Sequence, residues 1–379
     1  MAEFEYTRWD GKQRFVPMDA ESLFDHVSDL LLEHGEYLLR QIDRDDPDLQ
    51  EVLQKLIRAG YVERDDEGGL AVSPRGLRRL QDRALSDLFQ IHGRGSVGRH
   101  DSPMRGDGSI RHEENRPYQY GDSTSNLDWH ETMRNAVIRQ GGGCPVRVTE
   151  DDFVVHEMEN QTTCATVLLL DMSGSMARYG KFSQAKRVAL ALHALIRSRF
   201  PGDSLRTIGF FTFASPLTER ELLRAGPKPV SIFDHRVFLR IPIDRPPAFV
   251  PEHFTNIQLG LQYARRLLTR DPSRNKQIIC VTDGEPTAHV EGRELVLAYP
   301  PSDRTARFTL DEVRRCRESG IRLSTVALIE DSFYLDLKNF VDQMARESRG
   351  VAAYCHAGDL GHYLMESFVQ GRRQRRRIG

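Results

Sequence analysis

The chain has few cysteines, and none of them are paired at the spacing that holds zinc. Five cysteines are spread over 379 residues. Their odd number and wide spacing are typical of reduced thiols in the cytosol rather than of a disulfide framework. Cys164 and Cys280 fall within apolar, strand-like runs, and we expect both to be buried structural residues.

Long apolar runs and a targeting segment are missing as well. No apolar stretch approaches the ~18–20 residues that would span a bilayer. Residues 1–5 carry no basic region followed by an apolar core, so no secretory signal is predicted. These absences predict a cytoplasmic protein without membrane attachment.

Charge of one sign is not in excess. The 53 basic and 55 acidic side chains give a formal net charge of −2, so there is no global electrostatic reason to expect nucleic acid or an anionic membrane as a partner. The chain also lacks the pattern G-x-x-x-x-G-K-S/T, which excludes nucleotide binding through a P-loop. Any electrostatic argument must therefore come from local clusters.

One apolar stretch that ends in polar residues organises the chain. Residues 167–170 have the pattern of a buried strand, and Asp171, Ser173 and Ser175 follow at alternate positions. This spacing places three oxygen-bearing side chains on one turn at the edge of a sheet. Hard divalent cations bind oxygen ligands, and Mg²⁺ needs only a few of them from protein because it keeps several waters. The turn is therefore a candidate for half of a metal site.

The first 90 residues predict an arm and a small helical module. Residues 1–19 are polar and aromatic, as in an arm that packs on another part of the protein. Residues 20–90 show the order helix, helix, short hairpin and helix, which is similar to a winged-helix module. Such a module binds DNA or packs against protein, because fold does not fix function. The candidate recognition helix, from Pro47, is balanced in charge. The helix after the hairpin holds the basic residues Arg75, Arg78, Arg79 and Arg83, so DNA binding is the weaker interpretation.

Three further segments flank the second half of the chain. Residues 91–115 are rich in Gly, Arg, His and Ser and are predicted to be a flexible linker. Residues 116–160 are predicted to be a β-rich segment that packs on the following domain, with strands over Val146–Thr149 and Phe153–Glu157. Residues 369–379 are a basic C-terminal tail, for which a solvated charge run is the default and contact with an acidic partner or nucleic acid the alternative.

Residues 161–368 alternate between strand and helix patterns. This alternation predicts an α/β fold with a doubly wound, mostly parallel sheet covered by helices on both faces. Apolar periodicity predicts a helix over Lys181–Arg199 and a strand over Thr207–Phe213. A capping-box pattern at Thr309 and Glu312 predicts that a later helix begins there.

Further polar residues fall where an open α/β sheet binds its ligands, outside the carboxyl ends of the strands. Asp283 follows a predicted strand, and Thr255 opens a predicted helix. The candidate ligands are therefore Asp171, Ser173, Ser175, Thr255 and Asp283. Two acids and three hydroxyls suit an octahedral Mg²⁺ or Mn²⁺ site with open positions. The alternatives to Thr255 are Thr207, Thr212 and Thr218, and the Thr-Asn-Ile helix start favours Thr255.

The order and spacing of these residues resemble a known site. The D-x-S-x-S motif at 171–175, Thr255 and the T-D-G motif at 282–284 are similar to the metal-ion-dependent adhesion site of von Willebrand factor A (VWA) domains, over about residues 161–368. The resemblance implies that the two serines and the threonine ligate the metal directly or nearly so. It also implies that the two aspartates often act through water.

A run upstream of this region resembles bacterial, intracellular members of the same group. It consists of the R-x-Y-x-x-G-D pattern at 116–122 and of Asp128-Trp129. Those proteins typically work with AAA+ ATPases of the MoxR or magnesium-chelatase type, so the resemblance implies such an ATPase as a partner. The match is partial, because the residues after Asp122 are rich in Ser, Thr and Asn rather than basic.

The sequence offers no convincing pair of nucleophile and base. Glu285 and His289 follow Asp283 closely and are the candidates for a base beside a metal, but they are more simply explained as the rim of a binding site. We therefore predict a non-catalytic adaptor whose Mg²⁺ captures an acidic residue of a protein partner, an AAA+ ATPase or its client. Two alternatives stay open: a subunit of a magnesium-chelatase-like complex, and a DNA-binding regulator acting through residues 20–90.

Overall fold

The structure is a computed structural model that describes most of the chain. The described residues are 19–35, 39, 47–64, 69–91, 110–119, 127–159, 163–330 and 335–372. Several predicted features lie outside these ranges, namely the arm before residue 19, most of the linker at 91–115, the Gly121-Asp122 pair and the tail after Arg372.

Helices and strands alternate through most of the described chain. The helices are α1 (Ala20–His34), α2 (Pro47–Arg58), α3 (Pro74–Ile91), α4 (Trp129–Gln140), α5 (Lys181–Arg199), α6 (Glu219–Arg224), α7 (Ile257–Arg270), α8 (Asp303–Glu318), α9 (Leu335–Ser348) and α10 (Leu360–Arg372). The strands are β1 (Val62–Arg64), β2 (Leu70–Val72), β3 (Ile110–Pro117), β4 (Val154–Glu159), β5 (Cys164–Asp171), β6 (Ser204–Phe210), β7 (Ala214–Leu217), β8 (Val237–Pro242), β9 (Asn275–Thr282), β10 (Ala288–Glu291), β11 (Glu294–Tyr299), β12 (Arg322–Leu328) and β13 (Val351–Cys355).

A six-stranded sheet forms the centre of the second half of the chain, in the order β13-β12-β9-β5-β6-β7. Its neighbouring strands are parallel except at one edge, where β7 runs antiparallel to β6. β6 ends at Phe210 rather than at Phe213 as predicted, because the chain turns there toward β7. All of β5 is buried, since helices cover both faces of a sheet of this kind. The predicted α/β fold with a doubly wound, mostly parallel sheet is confirmed.

Alternate residues of β5 supply two separate hydrophobic cores. Leu168 and Leu170 belong to the core that includes α5 and α10. Val167 and Leu169 belong to the core that includes α7, α8 and α9. Side chains alternate across a strand because successive Cβ atoms point to opposite faces. A strand that is apolar at every position therefore has to lie inside the sheet, and Asp171 at its end lies between neighbouring strands.

A smaller antiparallel sheet, β10-β11-β8, lies beside the central one. Its core consists of Val237, Ile241, Phe254, Ala288, Leu295 and Leu297. Between β9 and α8 the chain covers residues 283–302. This stretch contains the β10–β11 hairpin, which turns at Gly292, whose φ of +60° favours glycine.

The helix predicted to begin at a capping box begins earlier. α8 starts at Asp303, and the side chain of Ser302 caps it. Thr309 and Glu312 lie inside the helix and are fully buried, and Glu312 pairs with Arg265 of α7 at 2.6 Å. The capping-box prediction is wrong because Thr and Glu three residues apart also occur inside a helix, where here the glutamate forms an ion pair with a neighbouring helix.

A strand–helix–strand unit precedes the central sheet, so the predicted β-rich segment also holds a helix. β3 pairs antiparallel with β4, and Asp128 caps α4 by accepting hydrogen bonds from its first turn. The predicted strand over Val146–Thr149 is wrong. The Arg147 N–H donates to the Gln140 side chain at 3.0 Å, and the Arg147 carbonyl accepts from the Arg139 side chain at 2.6 Å. The backbone groups that would bind a partner strand are therefore already bonded to side chains.

The N-terminal helices share a hydrophobic core with one face of the central sheet. Phe24 of α1 belongs to the same cluster as Leu168 of β5 and Val188 of α5. α3 lies along α5, and a Cβ placed on Gly361 of α10 would lie 2.1 Å from Leu88 of α3. Helices α1 and α3 are therefore packed directly onto the helix layer of the sheet.

Ion pairs connect the basic residues of α3 to the neighbouring helices. Arg79 binds Asp25 through two hydrogen bonds, at 2.6 and 3.0 Å. Arg83 and Arg187 each bind Asp29 at 2.7 Å, so one carboxylate links α1, α3 and α5. Arg79 and Arg83 are thus paired with carboxylates of α1, whereas Arg75 and Arg78 of the same helix are exposed.

Replacing Phe24 with Ala should lower the free energy of unfolding by about 3–5 kcal/mol, because Phe24 is fully buried and stacks on Tyr61 at 4.7 Å. Since the N-terminal helices and the sheet share a core, a single cooperative urea transition, followed by circular dichroism, should shift. The control is Leu30→Ala, at a side chain 45% exposed, which should cost about 1 kcal/mol or less. A separate early transition that alone responds to Phe24→Ala would show an independent N-terminal domain.

Candidate metal centre

Two aspartates meet at the carboxyl edge of the central sheet. Asp171 ends β5, and Asp283 follows Thr282, the last residue of β9. β5 and β9 are parallel neighbours, with Leu170 beside Val281, so both strands deliver their next residues to the same edge. Thr282 Oγ1 donates to Asp171 Oδ2 at 2.6 Å. This hydrogen bond holds the two strand ends together.

The two predicted serines lie on the turn that follows β5. The Ser173 N–H donates to Asp171 Oδ1 at 2.8 Å, and the Ser173 and Ser175 hydroxyl oxygens are 3.2 Å apart. Ser175 Oγ in turn donates to Asp283 Oδ1 at 2.7 Å. Asp171, Ser173 and Asp283 are buried, whereas Ser175 is exposed. The structure therefore joins these residues in one cluster that opens to solvent beside Ser175.

The serine turn lies against the segment that leads into α7. The Gly174 N–H donates to the His253 carbonyl at 3.1 Å. A Cβ on Gly174 would lie 2.6 Å from Val230 Cγ2 and 3.3 Å from His253 Cβ. The glycine between the serines thus permits the close approach that brings the residues before α7 to the cluster.

Thr255 lies at the same edge, just before α7. Its N–H donates to Thr287 Oγ1 at 2.8 Å, and its carbonyl accepts from the N–H groups of Thr287 and Ala288 at 3.0 Å each. A Cβ placed on Gly284 would lie 3.8 Å from Thr255 Oγ1, so this hydroxyl faces the turn after Asp283. Within the described ranges, Thr255 Oγ1 has no hydrogen-bond partner, and the hydroxyl is available to a ligand.

The alternative threonines make contacts elsewhere. Thr207 Oγ1 lies 2.9 Å from His193 Nε2. Thr212 Oγ1 donates to the Pro251 carbonyl at 2.7 Å, and Thr218 caps α6. These bonds occupy the hydroxyls of the three alternative threonines, whereas the Thr255 hydroxyl lies beside the turn that follows Asp283.

A lysine that the sequence analysis missed completes the cluster. Lys181, the first residue of α5, places Nζ 2.9 Å from Asp283 Oδ2. Lys181 and Asp283 are buried, with 2% and 3% of their surfaces exposed. The helix start at Lys181 is readable from the sequence, but the side chain's direction depends on how α5 packs against the sheet.

The charge of the cluster favours a bound cation. Burial raises the pKa of Asp171 above its ordinary value, and the neighbouring Asp283 carboxylate raises it further. Among the described residues, Asp171 takes its hydrogen bonds from neutral groups of Ser173 and Thr282. A cation at this edge would relieve the repulsion between two buried carboxylates, and the hydroxyl and carboxylate oxygens are the ligands that Mg²⁺ and Mn²⁺ prefer. The residues present therefore fit a divalent metal ion.

The two candidates for a base have different positions. Glu285 is half-buried, and burial followed by the charge of Asp336 raises its carboxyl pKa. His289 is 1% exposed, stacks on Phe308 at 4.6 Å and has Nδ1 3.1 Å from Thr305 Oγ1. The rim interpretation is wrong for His289, because its ring packs from β10 against Thr305 and Phe308 of α8 and is buried.

The parallel sheet with a D-x-S-x-S turn at its carboxyl edge defines a VWA domain protein. Residues 164–369 match the family model described as "Rv0959-like protein, vWA domain". Residues 111–158, the strand–helix–strand unit, match the model described as "Rv0959-like protein, third domain". The chain belongs to this Rv0959-like vWA family.

Relatives and solved structures show further similarity. Rv0959 of Mycobacterium tuberculosis and Mb0984 of Mycobacterium bovis are each 32% identical over 336 residues, which cover 86% of this chain and 46% of each relative. The chain thus spans about half the length of these curated relatives. Among solved structures, BatB of Bacteroides thetaiotaomicron is 16% identical with a TM-score of 0.35, covering 54% of this chain and 99% of its own. The SpRpn10 VWA domain is 14% identical with a TM-score of 0.34, covering 54% and 94%.

No helix in the described part of the chain is long and apolar enough to cross a bilayer.

Replacing Asp171 with Asn should stabilise the protein in EDTA at pH 8. The pKa of Asp171 is raised in the folded state. Ionisation of Asp171 therefore lowers the free energy of unfolding once the pH rises above the pKa that this residue has in the unfolded chain. Each pKa unit is worth about 1.4 kcal/mol. We expect a higher Tm than wild type at pH 8, and a difference that shrinks as the pH falls toward ~4.

Asp152→Asn is the matched control for this measurement, since Arg139 lowers the pKa of Asp152. This variant should be less stable than wild type at pH 8, because it loses a carboxylate whose charged form is favoured in the folded protein. If Asp171→Asn were also less stable than wild type at every pH in EDTA, the charge of Asp171 would not be a cost to the fold.

Proposed function

We propose that this chain binds a divalent cation at the Asp171–Asp283 cluster and uses it to capture an acidic residue of a partner protein. VWA domains often mediate protein–protein interactions. The observation that carries the proposal is a pair of buried carboxylates beside the Ser173 and Ser175 hydroxyls, with the Thr255 hydroxyl at the same edge and one side open to solvent. This is a set of oxygen ligands that leaves room for another ligand.

The residues divide into two groups by their contacts. The three hydroxyls would hold Mg²⁺ or Mn²⁺ directly or nearly so. Asp171 and Asp283 already accept hydrogen bonds from Thr282 and Ser175, which suits carboxylates that act through water. A bound divalent cation would supply an electrophilic centre for an incoming carboxylate oxygen. Because Ser175 is the exposed member, the partner would approach from its side.

The proposed partner is an AAA+ ATPase of the MoxR or magnesium-chelatase type, or a client of that ATPase. The support is the resemblance of the run at 116–129 to intracellular proteins that work with such ATPases. In this function the chain acts as a non-catalytic adaptor. No nucleophile–base pair is needed, because capture requires only a metal ion, ordered oxygen ligands and an acidic residue on the other protein.

Replacing Ser175 with Ala should weaken Mg²⁺ and Mn²⁺ binding about tenfold or more, because the variant loses both a hydroxyl ligand and the hydrogen bond that orients Asp283. Isothermal titration calorimetry of the full chain measures this loss. Ser183→Ala is the matched control, since Ser183 Oγ donates to the Gly180 carbonyl near the start of α5. Equal metal affinity in Ser175→Ala and wild type would remove Ser175 from the ligand set.

Partner capture should depend on both the metal and Asp171. We expect wild-type protein, immobilised and exposed to extract of its own cells, to retain an AAA+ ATPase in Mg²⁺ and to lose it in EDTA, as identified by mass spectrometry. Asp171→Asn should retain at least about tenfold less of it in Mg²⁺ while keeping its circular dichroism spectrum. Capture that is the same in Mg²⁺, in EDTA and in the variant would contradict a metal bridge.

A further inference from the structure

We propose that Lys181 sets the charge of the loaded metal site so that it accepts one carboxylate from a partner. This inference rests on the function proposed above and assigns a role to a residue outside the predicted ligand set. Its basis is the buried ion pair between Lys181 Nζ and Asp283 Oδ2, at 2.9 Å, in which the side chains are 3% and 1% exposed.

The formal charges at this edge favour an anionic ligand. Asp171 and Asp283 together would neutralise a divalent cation, and the loaded site would then have no net charge with which to attract a carboxylate. The ammonium of Lys181 leaves the loaded site with one positive charge in excess. A single carboxylate from a partner restores neutrality, so the lysine converts a neutral metal site into one selective for acidic side chains.

The contacts of Asp283 support the same role. Its Oδ2 is held by Lys181 and its Oδ1 by Ser175, so both carboxylate oxygens have partners. This carboxylate is therefore poorly placed to chelate a cation with both oxygens. The cation would be bound less tightly by the chain than at a site without the lysine, and it would depend more on the incoming carboxylate.

A structural role alone makes a different prediction. If Lys181 only stabilised α5 against the sheet, its loss would weaken metal binding and carboxylate binding together, through a disordered site. A lysine that sets the charge of the site requires opposite changes: without it, the cation binds more tightly and the carboxylate more weakly. The two explanations are thus separable on the same variant.

The test uses the full chain at pH 8 in buffer free of carboxylates. Mn²⁺ affinity is measured by electron paramagnetic resonance of free Mn²⁺. Acetate binding to the Mn²⁺-loaded protein is measured by the loss of water-proton relaxation as acetate displaces bound water. Lys181→Met should bind Mn²⁺ about tenfold more tightly or better, and acetate about tenfold more weakly or worse. Lys181→Gln keeps a hydrogen-bond donor without the charge and should show the same two shifts. This second variant provides the test if Lys181→Met does not fold.

Lys186→Met is the matched control. Lys186 is also buried on α5, but its Nζ donates to the Leu223 carbonyl at 3.0 Å. The Lys186→Met variant should therefore leave the affinities for Mn²⁺ and acetate unchanged. Lys181 variants that bind Mn²⁺ no more tightly than wild type, or acetate equally well, would overturn the inference while the metal site stands. Wild-type protein that binds no Mn²⁺ would overturn the proposed function together with it.

Discussion

The burial of two carboxylates at the ends of adjacent parallel strands is the constraint on which the site depends. β5 and β9 deliver Asp171 and Asp283 to one edge, and the Thr282 hydroxyl holds the strand ends in register. Like charges buried together raise each other's cost of ionisation, so the surrounding chain must supply donors or cations. The serine turn, Lys181 and the proposed metal ion all answer that need. Such a cluster is suited to binding a cation, because its two carboxylates and one ammonium leave a net negative charge.

The N-terminal helices pack on the helix layer that covers one face of the same sheet. α3 packs along α5, the helix whose first residue is Lys181, and Asp29 joins α1, α3 and α5 through two arginines. An ion pair that is partly buried and shared among three helices is more constraining than an isolated surface pair. The position of α5, and with it the Lys181 ammonium, thus depends partly on residues far from the metal centre in sequence.

Much of the fold, and the meeting of the candidate residues at one edge of the sheet, could be predicted because they rest on local patterns. The apolar run before Asp171 specifies a strand buried on both faces, and the helix over Lys181–Arg199 follows its periodicity to the residue. Predictions failed where one pattern has two causes. Thr309 and Glu312 match a helix cap, yet Glu312 is buried against Arg265. The extended residues 146–149 match a strand, yet side chains of α4 hold their backbone.

The sequence by itself determined the α/β class, the strand ends that carry Asp171 and Asp283, and the hydroxyls beside them, since strand burial and motif spacing are encoded locally. Only the tertiary structure decided which of the candidate threonines has its hydroxyl beside the turn after Asp283, and which cation pairs with Asp283. It excluded His289 from the rim, because the ring packs from β10 against α8 and is buried. The reason is physical: a side chain's direction is set by the packing of whole helices against the sheet, and that packing depends on residues that are distant in the chain.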